Sequence, residues 1–326
     1  MGNTIEKSTG ESAARRLRGK QILFQSTSFL GLAVMVLLFS VLTQGKLIAP
    51  TNLGLIVKQG FTLFLASLAG VFIMATGNLD FSLGANIGFS CAICATAAQV
   101  VPPAAAVAIA IVAGALVGAI NGLVITKLRL PSFITCLCMM FILTAITQTL
   151  CGKGGSSIPM PLSMRKWESL TLYAILGIIY FAVMLVMFRY TRFGKYMKAL
   201  GVSPEAARQS GVGVNKMIFL GYLLTGLAAG LAGFLTMIRT GGATSTTGQT
   251  MTTDVIIAIV FGGMSISGGA TSKISAAVLG TLIVTTLNNG MVLAGYGGEI
   301  QQLVKGILFL IIIAISTKRD SNTIIK

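Results

Sequence analysis

Few residues in this chain are suited to covalent chemistry. It has no histidine and only eight acidic residues. Cys91 and Cys94 have the spacing of a redox or metal pair, but no histidine or acid stands near them to complete a ligand set. Together with Cys136 and Cys138 they lie in apolar runs, where cysteine packs as a small hydrophobe. No nucleophile or metal-ligand cluster is present, so an enzyme is not expected. The phosphate-binding pattern Gly-x-x-x-x-Gly-Lys-Ser/Thr is absent, so the chain is not itself an ATPase of that kind. What remains is non-covalent chemistry around one acid. Asp80 is the only acidic residue between Glu11 and Glu168, with Gly77 and Gly84 flanking it and Asn78, Ser82 and Asn86 close by. An acid within greasy sequence is costly unless paired or hydrated. Two readings stand open: an element of a translocation pathway or gate, or a cap on the amides of the next helix.

The second informative stretch is 189–216, the longest polar interval between two hydrophobic runs, with six basic residues. Within it, 203–211 reads as a complete short helix. Ser203 is an N-cap and Pro204 suits the first helical position. Glu205 faces the positive helix end, and Arg208 lies three residues on, within pairing reach. Ala206 and Ala207 fill the helix, and Gly211 stops it. Two turns are marginal in water alone, so this helix needs a docking surface from its own chain or from a partner. Upstream, Arg192, Lys195 and Lys198 alternate with Phe193, Tyr196 and Met197, which suits a helix lying at lipid headgroups.

These stretches sit in a chain that is 54% hydrophobic and 10% charged, with mean hydropathy +0.88. Soluble domains carry about 25% charged residues, so a soluble fold is excluded. The apolar runs are continuous and about twenty residues long, which predicts an all-α membrane protein rather than a barrel of alternating strands. Ten spans are expected, at 26–43, 54–77, 84–101, 104–126, 132–150, 169–188, 217–238, 254–265, 274–295 and 300–317. The span at 254–265 is too short to cross alone. The net charge of +16 fits basic residues held inside the cell rather than nucleic-acid binding. An inside N-terminus places the clusters at Arg15–Lys20, 189–216 and Lys318–Lys326 on the cytoplasmic side. The expected organisation is a cytoplasmic tail (1–20), one transmembrane domain (21–317) that contains the polar segment 189–216, and a second cytoplasmic tail (318–326).

Two glycine-rich breaks interrupt the runs, near 77–84 and 262–273. Gly, Ser and Gly recur at Gly77, Ser82, Gly84 and at Gly262, Ser267, Gly269. Transporters often carry paired breaks in two halves, and Ser265, Ser267 and Asn288 join the candidate pathway residues. The run TGGATSTTGQTMTT, with Asp254 at the outer end of the short span, reads either as a substrate-receiving loop or as an ordinary connection. Stripes of Gly114, Gly118, Gly122 and of Gly226, Gly230, Gly233 predict close helix packing. Asn121, Asn288 and Asn289 either line a sugar-sized passage or cross-link helices.

TRFGKYMKALGVSPEAARQSGVGVNK resembles the cytoplasmic loop of the ribose/xylose/galactose-type permeases of bacterial ABC importers. GNLDFSLGANIG, GLAAGLAGFL and FGGMSISGGATSK resemble other motifs of that family, over about 30–316. Departures at Asn78 and at Ala270, Thr271 and Ser272 bear on the substrate more than on the mechanism. The resemblance implies a multi-pass permease of the bacterial cytoplasmic membrane that moves a small polar solute, foremost a monosaccharide. It implies an ATP-binding partner that holds ATP-Mg, with no cofactor in this chain, and an extracytoplasmic solute-binding protein. It also implies a second permease copy or a paralogue. By resemblance 203–211 is the coupling helix. Rival readings are a permease for nucleosides or branched-chain amino acids, or an autonomous secondary transporter, which would need intramembrane acids for ion coupling.

Overall fold

A computed structural model describes residues 29–152 and 156–316. The expected tails and their basic clusters, and Lys153, lie outside the described residues. The chain is a bundle of helices: α1 (Phe29–Leu42), α2 (Pro50–Ala75), α3 (Leu83–Ala97), α4 (Pro103–Lys127), α5 (Ser132–Cys151) and α6 (Leu170–Arg189). Then come α7 (Arg192–Val202), α8 (Pro204–Gln209), α9 (Val214–Thr240), α10 (Met251–Phe261), α11 (Ser275–Leu293) and α12 (Gly298–Ser316). The starts follow local chemistry. Proline occupies the first turn of α2, α4 and α8, and Ser169 caps α6 by accepting from the Leu172 amide at 3.2 Å.

Ten of these helices fall on the ten expected intervals. Six of the described helices (α2, α4, α5, α6, α9 and α11) are long and apolar enough to cross a membrane. α3 and α10 are not. With 15 and 11 residues they rise roughly 22 and 16 Å, against a hydrocarbon core of about 30 Å. Among the described residues the fold thus shows six full-length spans together with shorter apolar helices. The short helices survive because they are enclosed by protein. Most of α3 is buried, and α10 is buried from Asp254 to Phe261.

The core runs along α2, whose apolar window is 72% buried, while that of α6 is only 17% buried. α4, α5 and α6 turn leucine, isoleucine and phenylalanine side chains outward, as Phe141 and Ile178 do. Such a surface suits lipid, not water. A two-stranded antiparallel ribbon closes one end of the bundle. β1 (Ser157–Pro159) pairs with β2 (Gly242–Thr244), with Ser157 opposite Thr244. Gln99 donates to the Pro159 carbonyl at 2.7 Å, and Lys58 pairs with Glu168 at 2.9 Å at that same end. Trp167 packs edge-on against Phe234 there. α7 and α8 lie at the opposite end.

The two glycine stripes face each other, as their spacing predicts. A β-carbon on Gly114 would meet the Gly226 carbonyl and the Gly230 amide at 2.6 Å, and one on Gly118 would collide with the Tyr222 carbonyl. Gly233 belongs to a separate contact, against Ile87, Ser90 and Cys91 of α3. Helix association in lipid relies on such backbone approach because apolar burial alone supplies little drive. Gly118→Val should therefore destabilise the fold by at least about 1–3 kcal/mol, the usual cost of overpacking. A thermal melt of the purified protein in detergent checks this, with Gly54→Ala, which meets nothing within 4 Å, as the neutral control.

Candidate functional site

The two breaks meet. The first lies between α2 and α3, the second between α10 and α11. The Gly269 amide donates to the Ala75 carbonyl at 2.9 Å. Gly268 has φ +67, and a β-carbon there would lie 2.6 Å from the Ala75 carbonyl and 2.7 Å from the Gly77 amide. Only glycine permits this backbone conformation together with this approach. Each break thus supplies a partner for backbone groups the other has freed from a helix, as irregular backbone at membrane depth requires.

A third element enters the same point. α7 buries Gly194, Met197 and Leu200 and leaves Arg192 and Lys195 exposed. A β-carbon on Gly201 would collide with the Ala75 carbonyl and lie 2.5 Å from the Gly269 amide. Phe193 stacks on Phe72, and Phe72 meets Phe188 edge-on. Lys198 lies over the Phe188 ring at 4.3 Å, and burial followed by the nearby Arg189 charge lowers its pKa. α7 is thus wedged against α2 and α6 with its last turn on both breaks.

α8 follows directly. The Ser203 hydroxyl accepts from the Ala206 amide at 3.2 Å, so the expected cap forms. Gly211 has φ +81 and ends the helix, its amide bonding the Arg208 carbonyl and the Val212 amide bonding the Ala207 carbonyl. Ala207 is buried against Leu200, Val212 and Val214, so one residue docks the helix on its own chain. Pro204, Glu205, Ala206, Arg208 and Gly211 are all exposed. Glu205 and Arg208 form no ion pair among the described residues, contrary to their spacing. Both side chains are in water, where such a pair is worth little.

Asp80 is held by its own chain. Its Oδ1 accepts from the Ser82 amide at 3.0 Å and the Ser82 hydroxyl at 2.6 Å, and its Oδ2 accepts from Thr225 at 2.9 Å. Asn121 donates to the Ser82 hydroxyl at 2.8 Å, tying α4 into the same network. The Gly84 amide in the first turn of α3 is taken by Thr252 Oγ1 at 2.9 Å rather than by Asp80. Ser82 and Asn86 are buried, and Asn86 donates to the Gly114 carbonyl at 3.1 Å. Asn78 bonds Thr76. Ser265 and Ser267 are exposed on the second break. Asn288 is half-buried and distant from that group, donating to Asp254 at 3.2 Å.

Asp254 forms an ion pair that the sequence does not announce. Lys305 Nζ donates to Asp254 Oδ1, with both residues buried. Asp254 was expected at an outer end, yet it lies inside the bundle because 245–250 runs inward alongside α3. The available signal was two opposite charges within apolar runs. Asn289 cross-links α11 to α2 through Asn52 at 2.8 Å and Gln59 at 3.3 Å.

Removing one member of the buried pair leaves the other charge unpaired in a dry site. Lys305→Met should cost about 3–5 kcal/mol, and the double variant Asp254→Asn/Lys305→Met should recover much of that loss. Thermal melts of the two single variants and the double variant check this.

Comparison with known proteins gives the context of this geometry. Residues 52–313 match the family described as branched-chain amino acid transport system / permease component. Ribose import permease protein RbsC of Escherichia coli (strain K12) is 30% identical, over 94% of this chain and 98% of its own. Galactose/methyl galactoside import permease protein MglC of the same strain is 32% identical, over 91% of this chain and 90% of its own. Fructose import permease protein FrcC of Rhizobium meliloti is 30% identical, over 91% and 87%. No solved structure matches. An apolar helical bundle with six membrane-length helices among the described residues, matched to that family over most of its length, is a multi-pass membrane protein, and the chain belongs to the branched-chain amino acid transport system / permease component family.

Proposed function

We propose that this chain is the membrane permease subunit of an ATP-driven importer for a small polar solute, foremost a monosaccharide. The observation that carries the reading is the direct seat of α7 on both breaks, with α8 following it directly. α8 presents Pro204, Glu205, Ala206 and Arg208 outward, while Gly201, two residues before its cap, touches Ala75 and Gly269. A push on α8 reaches both breaks through one rigid helix. The side with α7 and α8 is cytoplasmic in this reading, because its exposed Lys127, Arg129, Arg189, Arg192, Lys195, Arg208 and Lys216 follow the positive-inside pattern.

An ATP-binding subunit, which would hold ATP-Mg, docks on 203–211. A solute-binding protein delivers its cargo at the end bearing β1 and β2. A second copy of the chain or a paralogue completes the passage. Asp80, Ser82 and Asn86 serve as the fastening of the first break, through which its gate is held to α4 and α9. Asn78, Ser265, Ser267 and Asn288 are the remaining pathway or gate residues. The sugar reading draws on relatives whose names are ribose, galactose and fructose import permeases.

A test uses cells expressing the chain with its neighbouring subunits. Glu205→Lys and Gly211→Val should lower uptake by about 5- to 150-fold, the range that a coupling free energy of about 1–3 kcal/mol spans. Membrane insertion and sugar capture by the binding protein should be unchanged. Normal uptake in both variants would sink the coupling role. Uptake of leucine or uridine in place of sugars would move the substrate class.

A further inference from the structure

The stretch between β2 and α10 has a consequence beyond the coupling path. It runs antiparallel beside α3. The Cys91 thiol faces the Gly242 carbonyl, a β-carbon on Gly88 would collide with the Thr247 carbonyl, and the Gly84 amide bonds Thr252. The other end of α3 lies at the ribbon, where Gln99 bonds Pro159. Gly88 and Gly84 stand nine and thirteen residues from Ala97, so Thr247 and Thr252 lie roughly 14–20 Å below that end of α3. That is about mid-depth in a hydrocarbon core of about 30 Å.

Residues 245–250 are neither helix nor strand. Irregular backbone at that depth is tolerated only when it is buried in protein or lines a water-filled cavity. One side of the stretch is buried against α3. The other is not: Thr246, Gln249, Thr250 and Thr253 are exposed. The Gln249 side-chain amide and the Thr250 and Thr253 hydroxyls have no hydrogen-bond partner among the described residues, although the Gln249 backbone amide bonds the Thr246 carbonyl. Lipid cannot satisfy them.

We propose that Thr246, Gln249, Thr250 and Thr253 form one wall of a water-filled passage that takes an uncharged, hydroxyl-rich solute. Each side chain both donates and accepts hydrogen bonds, as a sugar hydroxyl does. Among the described residues Thr246, Gln249, Thr250 and Thr253 give this face no formal charge, and Asp254 is turned inward to Lys305. A neutral polyol exchanges water for protein hydrogen bonds at little net cost, while an ion finds no counter-charge. The solute class rests on the importer reading above; the wetness of the face does not.

The test starts from the full chain carrying Cys138→Ser, since Cys138 is the exposed cysteine among the described residues. Gln249→Cys and Thr253→Cys are each added, with buried Thr252→Cys as the control. Intact cells are treated with a membrane-impermeant, uncharged glycosyl thiosulfonate. Labelling of positions 249 and 253 but not 252, with loss of D-ribose, D-galactose or D-fructose uptake on labelling, is expected. Positions that react only with a lipid-soluble maleimide would overturn the proposal, as would positions that resist both reagents until the protein is denatured, the mark of a dry protein contact. In a second arm, Gln249→Glu should depress uptake of the same sugar while Gln249→Asn retains it; equal uptake in both would overturn the solute class. Labelling requires no sugar. A labelled face in a chain that imports none of the three sugars would therefore count against the sugar reading and leave the wet passage standing.

Discussion

The bond from the Gly269 amide to the Ala75 carbonyl joins two interruptions that neither half of the chain could bear alone. Ending a helix inside a membrane frees amides and carbonyls that lipid cannot satisfy. Here the ends of α2 and α10 come together, and glycines let the backbones approach closely enough to bond. The last turn of α7 is pressed onto the same point by Gly201. Any displacement of α7 must disturb both breaks, because close-packed elements shift between discrete arrangements rather than deform smoothly.

The same constraint explains where the polar side chains went. Asp80 is surrounded by donors from Ser82 and Thr225, Asn121 reaches in from α4, and Asn289 joins α11 to α2. Asp254 and Lys305 neutralise each other. These groups hold short or broken helices at fixed angles where apolar packing would leave them free to slide. α4 and α9 contribute Asn121 and Thr225 to this network and also lock against each other by backbone approach at their glycines. The protein thus combines buried polar links with close backbone packing at glycines.

Much of this was legible in the residues. The hydrophobic runs located ten helices, since each run reflects a local need to leave water. Ser203, Pro204 and Gly211 marked the ends of α8, because caps are read from neighbouring backbone groups alone. The glycine stripes predicted close helix contact. What escaped was everything that depends on depth or on a distant partner. The polar run that holds 245–250 reads in sequence as a substrate-receiving loop or an ordinary connection at the outer face, yet it descends beside α3. Glu205 and Arg208 have pairing distance along the helix but stay in water.

The sequence by itself determined that the chain is an all-helical membrane protein, where its helices lie to within about four residues, and that one short capped helix stands outside the apolar runs. Those properties follow from composition, periodicity and nearest neighbours. Only the tertiary structure decided that the two breaks touch, that α7 seats on both, that Asp254 finds Lys305, and that a polar face lies at mid-depth. Each of these joins groups far apart in the chain, and their pairing is set by how the helices pack and not by any property of either residue alone.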